Sequence, residues 1–173
     1  SDQTRTFWVG RTPSERFDET RRLVLAAQKA GMEAIRPGAP VSGAYTAARA
    51  VFEAAGVAHM FTHSLGHGIG LETHEGPSLG PRAEGVFVPG MVVTVEPGLY
   101  DAGWGGIRWE YMVLVTEDGC KAFLGLFRKA SFAPWRRREA TWSQGCTAGV
   151  LSLAPSRISP RQGTKSIFWK QAR

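Results

Sequence analysis

The chain has 173 residues, 43% of them hydrophobic and 21% charged, the balance of one globular domain rather than of a disordered polyelectrolyte. No stretch approaches the roughly 18 uninterrupted apolar residues of a membrane span; the most apolar, Val86 to Val95, is broken by Pro89 and Gly90. Two cysteines, Cys120 and Cys146, are too few for a disulfide-stapled secreted fold, and no charged-then-apolar leader precedes them, so the cytoplasm is the expected compartment. The formal charge of +6 sits at one end. Residues 131–173 hold eight basic side chains (Arg136, Arg137, Arg138, Arg157, Arg161, Lys165, Lys170, Arg173) against Glu139 alone, leaving 13 of the 21 basic and 14 of the 15 acidic residues in 1–130. Composition therefore divides the chain near residue 130 into a nearly neutral portion and a basic extension.

Thr4 to Val9 reads as a strand already under way, rich in β-branched and aromatic residues. Ser14 is an N-cap candidate for a first helix, in which Phe17, Leu23, Val24, Ala27 and Ala30 recur at helical spacing up to Arg36-Pro37-Gly38. Ser42 opens a second, shorter helix through Ala47, Val51 and Ala54, stopped by Gly56. From Val57 to Thr116 short segments rich in Val, Ile, Thr and Tyr, punctuated by Gly and Pro, predict antiparallel strands and loops. Met91–Val95 and Tyr111–Val115 are the clearest, and Glu117-Asp118-Gly119 predicts a hairpin turn with Cys120 to Phe127 as its return limb. Helices first and strands after make the fold class α+β. Residues 131–173 show no periodicity and read as a disordered or abnormal extension, despite Trp135, Trp142 and Trp169.

The chemistry is densest between His63 and Glu75, where His63, His67 and His74 lie among glycines 66, 68 and 70. Histidine is the usual neutral ligand or proton carrier near neutral pH, and glycine lets backbone approach a metal or substrate. Gly66-His-Gly-Ile-Gly70 lacks the strand-to-helix setting of a dinucleotide loop, and His74-Glu75 is followed by Gly-Pro-Ser rather than by the helix of a zinc protease motif. Glu96 and Glu110 end apolar strands, where a carboxylate is costly to bury without a compensating cation or hydrogen bonds. With Asp2 and His67 they make an oxygen-rich set suited to Mn²⁺, Fe²⁺, Co²⁺ or Zn²⁺.

Four linked motifs, Ser1-Asp2-x-Thr-Arg-Thr-Phe7, His63-x-x-Gly-His67-Gly-Ile-Gly-Leu-x-x-His74-Glu75, Pro89-Gly-Met-x-x-Thr-Val-Glu96-Pro97 and Gly-Ile-Arg108-x-Glu110, together resemble the pita-bread metallopeptidases. That family includes methionine aminopeptidase, Xaa-Pro aminopeptidase, Xaa-Pro dipeptidase and creatinase, and the resemblance covers residues 1 to about 125. It implies helices packed on a curved antiparallel sheet, a catalytic portion in 1–130 and a site for two divalent metals, Mn²⁺ being favoured. Position by position it makes Asp2 a bridging aspartate, His67 and Glu96 ligands of one metal, and Glu110 the bridging glutamate. Glu96 would also take the proton of a metal-bridged hydroxide's parent water and pass it to the leaving nitrogen. His74 would hydrogen-bond the scissile carbonyl. His63 and Arg108 resemble residues of the proline-specific branch, so the implied substrate is a peptide with proline second. Arg108 could instead only orient the carboxylates.

The family's first metal-binding aspartate lies eleven residues before its second, and here the second is already residue 2. An N-terminally truncated domain is therefore expected, binding at most one metal well and having little or no peptidase activity alone. Two further readings within the fold are hydrolysis of a non-peptide C–N bond, as by creatinase, and a non-catalytic binding module. Nucleic-acid binding through the basic extension is disfavoured against an unstructured tail. A homodimer is a candidate assembly.

Overall fold

The structure, a computed structural model, describes residues 2–123 and 167–168. The rest of the basic extension, with the disorder expected of it, lies outside the described residues, as does the end of the return limb toward Phe127. Strand β1 (Thr6–Phe7) precedes helices α1 (Glu15–Glu33) and α2 (Val41–Ala54), and then come β2 (His67–Gly68), β3 (Glu75–Ser78), β4 (Val92–Val95), β5 (Gly98–Asp101), β6 (Gly105–Arg108), β7 (Tyr111–Val115), β8 (Cys120–Ala122) and β9 (Ile167–Phe168). Five strands form an antiparallel sheet in the order β3-β2-β4-β7-β8, β5 and β6 form a hairpin, and β1 pairs with β9. Among the described residues no helix is long and apolar enough to cross a membrane.

Helix α1 starts where the sequence predicts, with the Ser14 hydroxyl accepting from the Phe17 N–H and so satisfying one of the free donors of the first turn. Its buried stripe is Phe17, Thr20, Val24, Ala27, Gln28 and Gly31, while Leu23 only packs against the core from a partly buried position. Helix α2 is capped two residues earlier than the expected Ser42: Pro40 is the N-cap and, among the described residues, makes no side-chain cap bond. Tertiary bonding sets this start, because the Val41 N–H donates to Gly85 O and Val41 is itself buried. Gly56, at φ +72°, ends the helix as expected.

The N-terminal segment is a strand only at Thr6–Phe7, shorter than the Thr4–Val9 expected. Asp2 to Thr6 nevertheless runs alongside Arg108 to Met112. Glu110 N–H donates to Thr4 O at 3.0 Å, Arg108 N–H to the Thr6 hydroxyl at 3.2 Å, and that hydroxyl to Arg108 O at 3.0 Å. A threonine side chain thus makes bonds that a regular ladder would draw from backbone, which is why the strand pattern breaks.

The core joins both helices to the sheet through fully buried Val24, Ala48, Phe52, Leu65, Val93, Val95 and Val113. Phe61 stacks on Tyr45 at 5.4 Å and meets Phe52 edge-on at 5.3 Å, anchoring the chain just before the histidine-rich segment. That segment then lies tight against β4 and β3. A Cβ on Gly66 would stand 1.9 Å from Thr94 O, and one on Gly68 2.1 Å from Gly76 O. Gly66→Ala is therefore expected to push β2 off β4 and destabilise the chain by about 3 kcal/mol or more, as measured by urea unfolding; an unchanged midpoint would show that the backbone approach is not required.

Candidate active site

Glu96 and Glu110 lie at the ends of paired strands. The β4–β7 register ends with Val95 opposite Tyr111, so the residues just beyond that pair, Glu96 and Glu110, come out at the same end of the sheet. Asp2 reaches this end because its segment runs along residues 108–112. All three carboxylates are largely removed from water, Glu110 most completely at 1% exposure. Thr4 donates to Glu110 Oε2 at 2.6 Å, whereas Oε1 is buried and has no hydrogen-bond partner among the described residues. Arg5 closes over the outside of this segment, donating to the backbone oxygens of Thr4 and Glu110 and stacking its guanidinium on Trp109 and Tyr111. Its burial lowers its pKa, and the nearby Tyr111 and Glu110 charges oppose that shift.

His67 enters from β2 at a bulge in the β2–β3 pairing between His67 and Gly68, a distortion that re-aims a side chain. Its Nδ1 lies 2.9 Å from Gly68 O. A carbonyl can only accept, so Nδ1 carries a proton and Nε2 is left to face the carboxylates. Nε2 stands 3.3 Å from Glu96 Oε1 and 3.7 Å from Asp2 Oδ2. The hydrogen bond to Glu96 raises the His67 pKa against the pull of burial. Burial acts to raise Glu96, but the hydrogen bond from His67, the Arg108 charge and the Thr94 hydroxyl together hold it below its ordinary value. Thr94 also accepts from the His67 N–H at 3.0 Å and donates to Glu96 Oε1 at 3.1 Å, so one hydroxyl fixes both residues.

His74, on the loop between β2 and β3, is exposed, and its ring lies 4.1 Å from that of His67. Among the described residues Asp2, His67 and His74 form a group whose potential ligand atoms all lie within 4.8 Å of one another. Arg108 Nη1 is 3.6 Å from Glu96 Oε2, and its buried Nε has no hydrogen-bond partner among the described residues. His63 packs edge-on against Phe61. Its Nδ1 lies 2.7 Å from Ser64 O and must be the donor, so Nε2 accepts from the Tyr100 hydroxyl at 3.0 Å. Burial pushes the His63 imidazole down and the Tyr100 phenol up, so both are neutral near pH 7.

All seven residues singled out in the sequence thus converge on one end of the sheet. Sequence reasoning missed Thr4, Thr94 and Tyr100 as site residues. Thr4 and Thr94 lie inside the recognised motifs, but nothing in a hydroxyl's spacing says which carboxylate it meets. Tyr100 reaches His63 only because β5 folds back beside residue 63.

A divalent cation suits this donor set on structural grounds. Among the described residues Glu110 Oε1 is a buried carboxylate oxygen without a partner, His67 has its outer nitrogen committed and its inner one aimed at carboxylates, and three acids crowd together where like charges repel. Comparison with known proteins gives the arrangement a family. Residues 1–117 match the model of metallopeptidase family M24. The chain belongs to that family. It is 46% identical over 121 residues to the Xaa-Pro dipeptidase of Pyrococcus furiosus, covering 70% of this chain and 34% of that protein. The prolidase structure from Pyrococcus furiosus superposes with a TM-score of 0.69 at 45% identity over 70% of this chain and 36% of that one. The X-Pro aminopeptidase structure from Thermotoga maritima gives 0.68 at 38% identity over 70% and 33%. This M24 chain therefore carries part of the pita-bread fold, and it spans about a third of the length of the curated relatives it matches. The family is one of divalent-metal peptidases.

Burial, offset by the Thr4 hydrogen bond and reinforced by the Glu96 and Asp2 charges, pushes the Glu110 carboxyl of this M24 chain from its ordinary 4.5 up to about 7. Because the folded pKa is raised, the protonated acid favours the folded state. That contribution is full below 4.5 and is lost as pH rises through about 7, and it amounts to about 3 kcal/mol. Urea unfolding of chelator-treated chain should show stability falling across this window, and Glu110→Gln should flatten the fall. An equally steep fall in the variant would contradict the assignment.

Proposed function

We propose that the protein is a metal-dependent Xaa-Pro peptidase, and that this chain supplies the metal-binding and proton-transferring part of its site. The observation that carries the reading is the meeting of Asp2, His67, Glu96 and Glu110 with His63, His74 and Arg108 at one sheet end. In this reading the chemistry is confined to residues 1–130, with no part for 131–173, and the compartment is the cytoplasm. The same reading takes Asp2, His67, Glu96 and Glu110 as the metal-holding residues. Their three oxygen donors and one nitrogen favour Mn²⁺ within a set that Co²⁺, Fe²⁺ and Zn²⁺ also suit. When bound, the metal supplies a water of lowered pKa and positive charge opposite the oxygen that gains charge as the amide is attacked.

The protein's own groups do the rest. Glu96 is held ionised by His67 and Arg108, and an ionised carboxylate is an acceptor fit to take a proton from water and return it to the leaving nitrogen. His74, exposed beside His67, is the group free to donate to the carbonyl oxygen of an incoming peptide. His63 and Tyr100 form a neutral wall on the His63 side of the site, and a neutral wall suits an apolar pyrrolidine ring better than a charged side chain. Arg108 lies within reach of Glu96 while still partly open to solvent, placed to hold a peptide carboxylate or carbonyl.

The test is hydrolysis of a panel containing Ala-Pro, Ala-Pro-Ala, Ala-Ala and creatine by the metal-loaded protein in which this chain's site is complete, little or no turnover being expected of residues 1–173 alone. Cleavage of the two proline peptides is expected, with at least about a hundredfold preference over Ala-Ala and no action on creatine. His67→Ala should remove at least about 99% of the turnover, by loss of a ligand. Equal rates on Ala-Ala, or turnover of creatine, would overturn the proline assignment.

A further inference from the structure

Gln28 occupies the buried stripe of α1, 3% exposed, where an apolar side chain would serve for packing alone. Its Nε2 donates to Val95 O at 3.2 Å and to Trp109 O at 3.0 Å. Both partners can only accept, so this face of the amide is the nitrogen and both of its protons are used. Val95 and Trp109 are the residues immediately before Glu96 and Glu110.

Each of these two peptide groups is held at its other end as well. The Glu96 N–H donates to Leu65 O at 2.8 Å and the Glu110 N–H to Thr4 O at 3.0 Å. Leu65 stands two residues before His67, and Thr4 two after Asp2. A peptide group is planar, so fixing its carbonyl and its N–H fixes the orientation of the whole unit and the position of the following Cα, from which each glutamate side chain departs. The β4–β7 register ends at Val95 and Tyr111 and resumes at Gly98 and Arg108 in the β5–β6 hairpin, and in the interval between, where the strand pairing lapses, the two chains share the Trp109 N–H to Pro97 O bond at 3.3 Å. Gln28 is where one side chain spans both of them.

We propose that Gln28 is a positioning residue for the metal centre: by holding the Val95–Glu96 and Trp109–Glu110 peptides with one amide, it sets the spacing between the two glutamate carboxylates. The proposal rests on the reading of Glu96 and Glu110 as ligands. It asks more of Gln28 than packing, since a packing role would leave the affinity for the ion untouched.

Gln28→Met keeps most of the side-chain volume and removes both donors; Val24→Ala, one turn earlier on the same buried stripe, is the control for lost core packing. Each full chain is titrated with Co²⁺ alone, followed by visible absorption, and its thermal midpoint is measured in chelator. Gln28→Met is expected to weaken Co²⁺ binding about tenfold or more and to shift the absorption bands. Val24→Ala should lower the midpoint and leave affinity and bands unchanged. Wild-type affinity and spectrum in Gln28→Met would overturn the proposal. A wild-type chain that gives no Co²⁺ band would instead overturn the ligand reading beneath it, so the two failures are distinguishable. If Gln28→Met does not fold, the wild-type chain decides by ¹⁵N NMR: the Gln28 amide protons should exchange slowly and shift when Zn²⁺ is added, and resonances that Zn²⁺ leaves unmoved would overturn the proposal.

Discussion

Three carboxylates and an imidazole share one poorly solvated end of a sheet, and most of the surrounding structure serves to keep them there. Bringing Asp2, Glu96 and Glu110 together costs desolvation and like-charge repulsion, and a chain free to relax would splay them into water. Glu110 shows that cost in its raised pKa and its unpartnered Oε1. The compensations within reach are a bound cation, protons, or neighbouring donors. The protein uses donors where it can, with Thr4 on Glu110, Thr94 and His67 on Glu96, and Arg108 alongside. Among the described residues one buried oxygen remains for which no protein donor is supplied, and the proposed divalent ion would answer it.

The scaffold achieves this by tying each functional residue to an element whose packing is independently strong. Phe61, wedged between Tyr45 and Phe52, fixes the start of the histidine-rich segment. Glycines at 66 and 68 let that segment press on β4 and β3, and the bulge at His67 turns the ring inward. Arg5 and the two threonines lash the N-terminal segment to residues 108–112, which carries Asp2 to the site. On the outer side Arg16 pairs with Asp101 at 2.5 Å and stacks on Trp104, linking α1 to the β5–β6 hairpin that bears Tyr100 and Arg108. That pair is half-exposed and contributes little energy; its service is orientation.

Much of this was legible in the residues themselves. Helical periodicity and the Ser14 cap placed α1, the apolar runs placed β4 and β7, and motif order named the side chains that meet at the site. What stayed hidden depended on tertiary contacts. Nothing local says that the Val41 N–H is taken by Gly85 and so starts α2 at Pro40, or that the Thr6 hydroxyl replaces a backbone ladder bond. Gln28 carried a signal that went unread: a polar residue on the apolar stripe of a helix is costly unless it is paired. Its partners, 67 and 81 positions away, could be found only in the fold. Tyr100 was missed for the same reason, being ordinary in sequence and close to His63 only once β5 turns back.

One histidine and three carboxylates are proposed to hold the ion, and His74 lies close enough to His67 and Asp2 to compete as a ligand. Electron spin-echo envelope spectroscopy of the Mn²⁺-loaded chain counts the imidazole nitrogens bound to the metal. Coupling to a single imidazole, lost in His67→Ala and retained in His74→Ala, is the predicted result. Coupling to two imidazoles, or one lost in His74→Ala, would overturn this ligand set.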